Sequence, residues 1–162
     1  MKRVALFVDV QNIYYTTRDA YGQNFDYSTF WAAATRGREV VTAFAYAVDK
    51  GDEKQRQFQN ILRGIGFEVR LKTYLQRADG SAKGDWDVGI VLDVLDYAPQ
   101  ADVVVLASGD GDFAPLVARV IDRHGVEVEI YGVARLSAAA LKMAATRFMP
   151  IDAGLLLARK PG

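Results

Sequence analysis

Cysteine is absent from this 162-residue chain, and histidine occurs once, as His124. The first absence excludes disulfides, thiolate zinc sites and cysteine nucleophiles, and the second leaves little room for imidazole ligands or a Ser-His-Asp triad. A metal held by this chain is therefore held through oxygen. Excess charge of either sign is also missing: 20 basic residues balance 20 acidic ones. The overall field thus gives no argument for nucleic acid, membrane or acidic substrates, and any such partner must be met by a local patch. No apolar run approaches the roughly 20 residues that a membrane-spanning helix needs. The opening MKRVALFVDVQN begins positive, but its run VALFV stops at Asp9, too short for a signal-peptide core. The expectation is a cytoplasmic protein with no membrane partner. Repeats, low-complexity tracts and interdomain linkers are lacking too. What remains is 51% hydrophobic and 25% charged, as in an ordinary globular chain. The length suits one domain over 1–162, with a core over about 3–152 and a tail over 153–162.

Five segments read as strands buried on both faces: 3–10 (RVALFVDV), 40–48, 67–75, 102–108 (DVVVLAS) and 126–133. A weaker sixth, 148–152, contains Pro150, which confines it to an edge or a strand end. Between them lie helical spacings. Phe58, Ile61, Leu62 and Ile65 form one stripe, Val88, Val91, Leu92 and Leu95 a second, and Leu116, Val117, Val120 and Ile121 a third. A further helix is expected to start near Ile13. Residues 76–86 (QRADGSAKGDW) read as an exposed loop, and ARKPG at the end as a frayed terminus. Strands alternating with helices predict parallel pairing through right-handed crossovers, and hence a three-layer α/β/α sandwich.

In such sheets ligands collect beyond the carboxyl ends of the strands, where the strand order reverses. Asp9 ends the first strand, and Asp110 and Asp112 follow the fourth in ASGDGDFAPLV. With strand order 3-2-1-4-5 these three acids converge on one crevice. Like charges this close cost energy unless a proton or a cation neutralises them. Asp85 and Asp87 stand at the start of the helix in KGDWDVGIVLD. One of them is explained by helix capping, as Asp112 is by a helix beginning near Phe113, whereas for Asp9 capping is the weaker explanation. Asp93 follows Asp87 by six residues, too far round the helix to share its face closely. Clustered carboxylates without imidazole or thiol suit Mg2+ or Mn2+, which can activate water and stabilise charge on a phosphoryl oxygen.

Other uses of the same pattern fit less well. A haloacid-dehalogenase-type phosphatase would need an acid where Gln11 stands, and an adhesion-type metal site would need hydroxyls where Val10, Gln11 and Asn12 stand. A receiver domain would need paired acids at the first strand and a phospho-acceptor Asp after the third. A P-loop is absent.

Taken in order, FVDVQNIY, AYAVD, KGDWDVGIVLDVL and ASGDGDFAPLV resemble the NYN domain, in its LabA-like branch, of the PIN-like ribonuclease superfamily. The resemblance covers residues from about 3 to 151. It implies a PIN-like fold with a central, mostly parallel sheet of order 3-2-1-4-5 and acids that hold Mg2+ or Mn2+ for RNA cleavage. Carried onto this chain, it implies Asp9, Asp87, Asp110 and Asp112 as metal ligands and catalytic acids. Asn12 would orient Asp9 or a water, Ser108 would support the loop, and Asp93 would be a lesser acid. Two residues separate Gly84 from Asp87, so Asp85 rivals Asp87.

An RNA substrate needs cations for phosphate and aromatic faces for unpaired bases. Lys83, Trp86, Tyr14 and Lys50 are the candidates, with Tyr15 and Arg77 beside them. Packing is expected to claim one of Tyr14 and Tyr15, since neighbours on a helix face different ways. His124 at a helix end is explained by the helix dipole. The resulting expectation is a metal-dependent ribonuclease acting on single-stranded RNA. A non-catalytic RNA-binding or regulatory module is the alternative, and a small phosphatase is weaker still. Self-association into a homo-oligomer is left open.

Overall fold

The computed structural model describes residues 1–73, 75–76, 82–83 and 86–159. In chain order they form β1 (Lys2–Asp9), α1 (Val10–Tyr21), α2 (Tyr27–Thr35), β2 (Arg38–Asp49), α3 (Glu53–Ile65) and β3 (Glu68–Thr73). A small pair, β4 (Leu75–Gln76) and β5 (Ala82–Lys83), leads to α4 (Asp87–Tyr97) and β6 (Val103–Ala107). The chain then forms α5 (Ala114–His124), β7 (Glu127–Gly132), α6 (Ala139–Ala144) and β8 (Arg147–Pro150).

Six strands make one sheet in the order β3-β2-β1-β6-β7-β8, parallel at every pairing. This is the expected 3-2-1-4-5 arrangement with the sixth strand at the edge, where Pro150 loses no ladder bond inside the sheet. β1 lies at the centre, and Val4 to Val8 are sealed from solvent. Its side chains divide by the two-residue period of a strand. Val4, Leu6 and Val8 join Ile13 of α1, Phe30 of α2 and Leu62 of α3, whereas Ala5 and Phe7 join Ile90 of α4, Val117 of α5 and Leu141 of α6. Burial on both faces is why β1 reads as an unbroken apolar run.

Four local features differ from the sequence reading. Helix α1 starts at Val10 rather than near Ile13, because Asp9 itself caps it by accepting from the Asn12 N–H at 3.3 Å. Helices α2 and α6 have no counterpart in that reading; α2 is short, but Tyr27, Phe30 and Ala34 sit at helical spacing and are buried. Within the stretch read as a loop, β4 pairs antiparallel with β5. Residues 153–157 also remain attached to the body. The Asp26 N–H donates to the Leu155 carbonyl and the Leu157 N–H to the Asn24 carbonyl, each at 2.8 Å, and Leu156 is buried. Among the described residues no helix is long and apolar enough to cross a membrane.

Candidate metal centre

β1 and β6 run side by side in parallel, and the order of the sheet reverses between them. The two chain segments leaving their carboxyl ends are therefore free to diverge over opposite faces, and the gap between them is the crevice. A ladder of short polar contacts stitches it. Asp9, nearly buried, uses one carboxylate oxygen to cap α1, and its other oxygen accepts from the Ser108 hydroxyl at 3.2 Å. That hydroxyl, on a side chain with no solvent exposure, accepts in turn from the Asp110 N–H at 3.2 Å. Asp110 Oδ1 accepts from the Asp112 N–H at 2.9 Å, and Asn12 Oδ1 accepts from the Gly109 N–H at 2.9 Å. The first turn of α1 and the loop after β6 are thus held in one fixed relation by Asp9, Asn12 and Ser108.

Small residues let a third segment close on this loop. Neither Gly109 nor Gly111 has a positive φ, so turn freedom is not what they supply. A Cβ on Gly109 would lie 2.8 Å from Ser137 Oγ, and one on Gly111 would lie 2.7 Å from Ala138 Cβ. The Ala138 N–H donates to the Gly109 carbonyl at 3.1 Å, which fastens the segment after β7 against the site. The run LSAAA is the sequence sign of this buttress, a faint one because small residues carry no chemistry of their own.

Asp87, Asp110 and Asp112 each offer a carboxylate oxygen within 4.8 Å of the others'. Asp87 and Asp110 are half-buried and Asp112 is exposed. Asp9 and Asp93 are not in this group. Capping does not account for all of the trio. Asp110 caps the short turn over Gly111–Phe113, but the helix α5 that follows is preceded by Phe113, with no side-chain cap, so Asp112 has no capping role. Likewise α4 is preceded by Trp86 without a side-chain cap, and Asp87 is already inside the first turn. Three hard, anionic oxygen donors converging at this spacing are a donor set that suits a hard divalent cation. One observation of the structure supports that fit: carboxylates gather here with no lysine or arginine ion-paired to Asp110 or Asp112 among the contacts of the described residues.

The remaining candidates fall around this trio unevenly. Asp85 and Arg77 lie outside the described residues, as does the side chain of Lys83. Trp86 is half-buried; its indole donates to the Ala47 carbonyl at 2.8 Å, and a Cβ on Gly89 would sit 2.5 Å from its ring. Lys72 lies over that ring at 5.6 Å. Lys50 is exposed just beyond β2, where its N–H donates to Gln55 at 3.2 Å. Asp93 accepts from the Tyr46 hydroxyl at 2.8 Å and pairs with Arg70. Tyr14 and Tyr15 are both exposed, at 50% and 56%, so packing claims neither; α1 buries Ile13 and Thr17 instead. Their rings meet edge-on at 5.4 Å. By the three- and four-residue neighbour rule, Tyr15 shares its side of α1 with Asn12 and Asp19, while Tyr14 goes with Arg18, whose guanidinium lies 5.8 Å from its ring. Asp19 pairs at 3.7 Å with Arg135 beyond β7, which places that side of α1 toward the crevice. His124 ends α5 beside Arg123, as its dipole explanation requires. A cavity of about 430 Å³ lies between Asp102, His124 and Glu127 at the amino ends of β6 and β7, the far end of the sheet from the acids.

A three-layer α/β sandwich with carboxylates gathered at the switch point of a parallel sheet defines the class. Residues 3–152 match the NYN domain family model, and the chain belongs to that family. It is 33% identical over 119 residues to the Low amplitude and bright protein LabA of Synechococcus elongatus, covering 68% of this chain and 63% of that protein's length. Among solved structures, a protein of unknown function from Vibrio parahaemolyticus is 56% identical, with a TM-score of 0.93 and 96% of each chain covered. The ribokinase of Giardia lamblia superposes with a TM-score of 0.51 at 14% identity, over 92% of this chain and 57% of that one, a likeness of fold alone. The chain spans less than two thirds of the length of that Synechococcus relative.

Proposed function

We propose that this chain is a divalent-metal-dependent ribonuclease that hydrolyses phosphodiester bonds in unpaired RNA. The observation that carries this reading is the convergence of Asp87, Asp110 and Asp112 within 4.8 Å beyond the carboxyl ends of the central strands. These three would hold Mg2+ or Mn2+. When bound, such an ion lowers the pKa of a water and offsets charge on the phosphoryl oxygens. The chain's own residues do the positioning. Asp9 and Ser108 fix the loop that presents Asp110 and Asp112, and Asn12 fixes the distance of that loop from α1. Buried hydrogen bonds of this kind keep the carboxylates aimed before substrate arrives, so little reorganisation is left for the reaction. On the substrate side, an unpaired base would stack on an exposed tyrosine of α1, and Lys50 and Lys83 would meet phosphates. The balanced net charge favours a short stretch of RNA over a long duplex, whose affinity accrues from many phosphate contacts.

The test is cleavage of an unstructured RNA oligonucleotide by purified protein with Mn2+. Wild type cuts it, chelation stops the reaction, and Asp110→Asn lowers the rate by a factor on the order of 10² or more while thermal unfolding is unchanged. Equal cleavage by wild type and variant would refute the assignment. Tight ion binding without turnover would mark a non-catalytic module.

A further inference from the structure

Asp93 lies on α4 with Asp87, yet the two point about 120° apart around the helix axis, since six residues advance it by one and two-thirds turns. What Asp93 does instead is visible in its partners. Its Oδ2 accepts the Tyr46 hydroxyl at 2.8 Å, and the same oxygen lies 3.0 Å from Arg70 Nε, an ion pair whose N–H has no hydrogen-bond acceptor of its own. The Arg70 guanidinium also covers the Phe44 ring at 4.1 Å. Tyr46 is almost wholly buried, and burial followed by the Asp93 hydrogen bond pushes its phenol well above the usual range, so it remains a proton donor. Its ring packs on Trp86 at 5.4 Å. Trp86 is pinned from the other side by its bond to Ala47 of β2 and by the bare backbone of Gly89. The residue after Trp86 is Asp87.

These contacts form a closed brace: Asp93 to Tyr46 of β2, Tyr46 to Trp86, and Trp86 back to the start of α4. We infer that Asp93 is a positioning residue, which acts through Tyr46 and Trp86 to fix the first turn of α4 and so aim Asp87 into the carboxylate group. The inference rests on the metal-site reading for the purpose of Asp87, but the brace itself stands on contacts that involve no ion. It assigns Asp93 a different task from Asp110 and Asp112. Asp93 Oδ2 is committed to a phenol and a guanidinium, and the side chain leaves α4 on another face from Asp87.

The test uses Tyr46→Phe, Asp93→Asn and the double variant of the full chain. Two quantities are measured: Mn2+ affinity by calorimetry, and hydrogen exchange of the Trp86 indole N–H by NMR, with Trp31 as the internal reference. Each single variant should speed Trp86 exchange and weaken Mn2+ binding by about tenfold, and the double variant should be little worse than either, because all remove one coupled unit. Trp31 should not respond. Loss of Mn2+ binding in Asp93→Asn with wild-type behaviour in Tyr46→Phe would make Asp93 a ligand and overturn the inference. Unchanged Trp86 exchange in both variants would overturn it as well. If wild type binds no Mn2+, the metal reading fails, and faster Trp86 exchange in both variants still establishes the brace. Tyr46→Phe removes a single oxygen, so it serves should Asp93→Asn not fold.

Discussion

Ser108 makes no contact with solvent, and its hydroxyl is the hinge between two of the site's acids: it donates to Asp9 and accepts from the Asp110 backbone. At the scale of single residues, chemistry that the sequence named was easier to read than direction. Asp9, Asp110 and Asp112 stood out because charge follows an apolar run, but nothing in residue type said that both oxygens of Asp9 would be engaged by Asn12 and Ser108. Nor could residue type separate Tyr14 from Tyr15. The helix geometry does: Tyr15 is the one on the Asn12 side. Tyr15→Ala is accordingly expected to raise KM for a short unpaired RNA by about tenfold with kcat nearly unchanged, as loss of one base stack would. Tyr14→Ala should stay within about twofold. Steady-state kinetics on the same oligonucleotide checks both, and the reverse ranking would show that the strand passes on the other side of α1.

Elements were legible where burial is symmetric. β1 and β6 are closed on both faces, so their apolar runs left no ambiguity of period. α2 was hidden because its nine residues carry three aromatic rings, a composition that reads as strand until Asp26 is seen to cap it, accepting from the Thr29 N–H at 3.1 Å. Between elements, the ties depend on long side chains whose partners lie far off in sequence. Arg38, at the start of β2, donates both its terminal nitrogens to Glu129 of β7 at 2.9 Å each, although β1 and β6 separate the two strands. Arg147 of β8 adds a bond to Glu129 at 3.3 Å and one to Glu127 at 2.6 Å. Burial opposes the charge on Glu129, but the hydrogen bonds and charges of Arg38 and then Arg147 outweigh it and hold the carboxyl below its ordinary value of 4.5. A depressed carboxyl contributes stability above the unfolded value and loses it as pH falls through the folded one. Melting temperature should therefore fall below about pH 4.5 in wild type, in part through Glu129. Glu129→Gln should cost about 3 kcal/mol at neutral pH, since it leaves Arg38 without its counter-charge, and should flatten that acid limb. Urea unfolding of both proteins from pH 7 to pH 3 measures this; parallel pH profiles would exclude Glu129 as a contributor.

For the whole molecule, strand order turns scattered acids into a site. Asp9 and Asp110 stand far apart in the chain, and Asp87 belongs to a third element, yet β1 beside β6 with α4 packed over β1 and β2 brings their segments to one end of the sheet. That convergence could be anticipated from the alternation of strands and helices, because right-handed crossovers leave few topologies. The exact grouping could not: Asp87, Asp110 and Asp112 meet within 4.8 Å, while Asp9, expected beside them, bonds the Asn12 N–H and the Ser108 hydroxyl at the base of the crevice. Three carboxylates in one opening are mutually repulsive in ordinary water, and a divalent ion is the simplest compensation.

The central claim is that Asp87, Asp110 and Asp112 hold a divalent ion. Calorimetric titration of Mn2+ into wild type and Asp112→Asn at pH 7 tests it most directly. Saturable binding in wild type, weakened at least about tenfold in the variant without a change in unfolding temperature, is the predicted result. Equal affinity in the two proteins, or no binding by wild type, would contradict it.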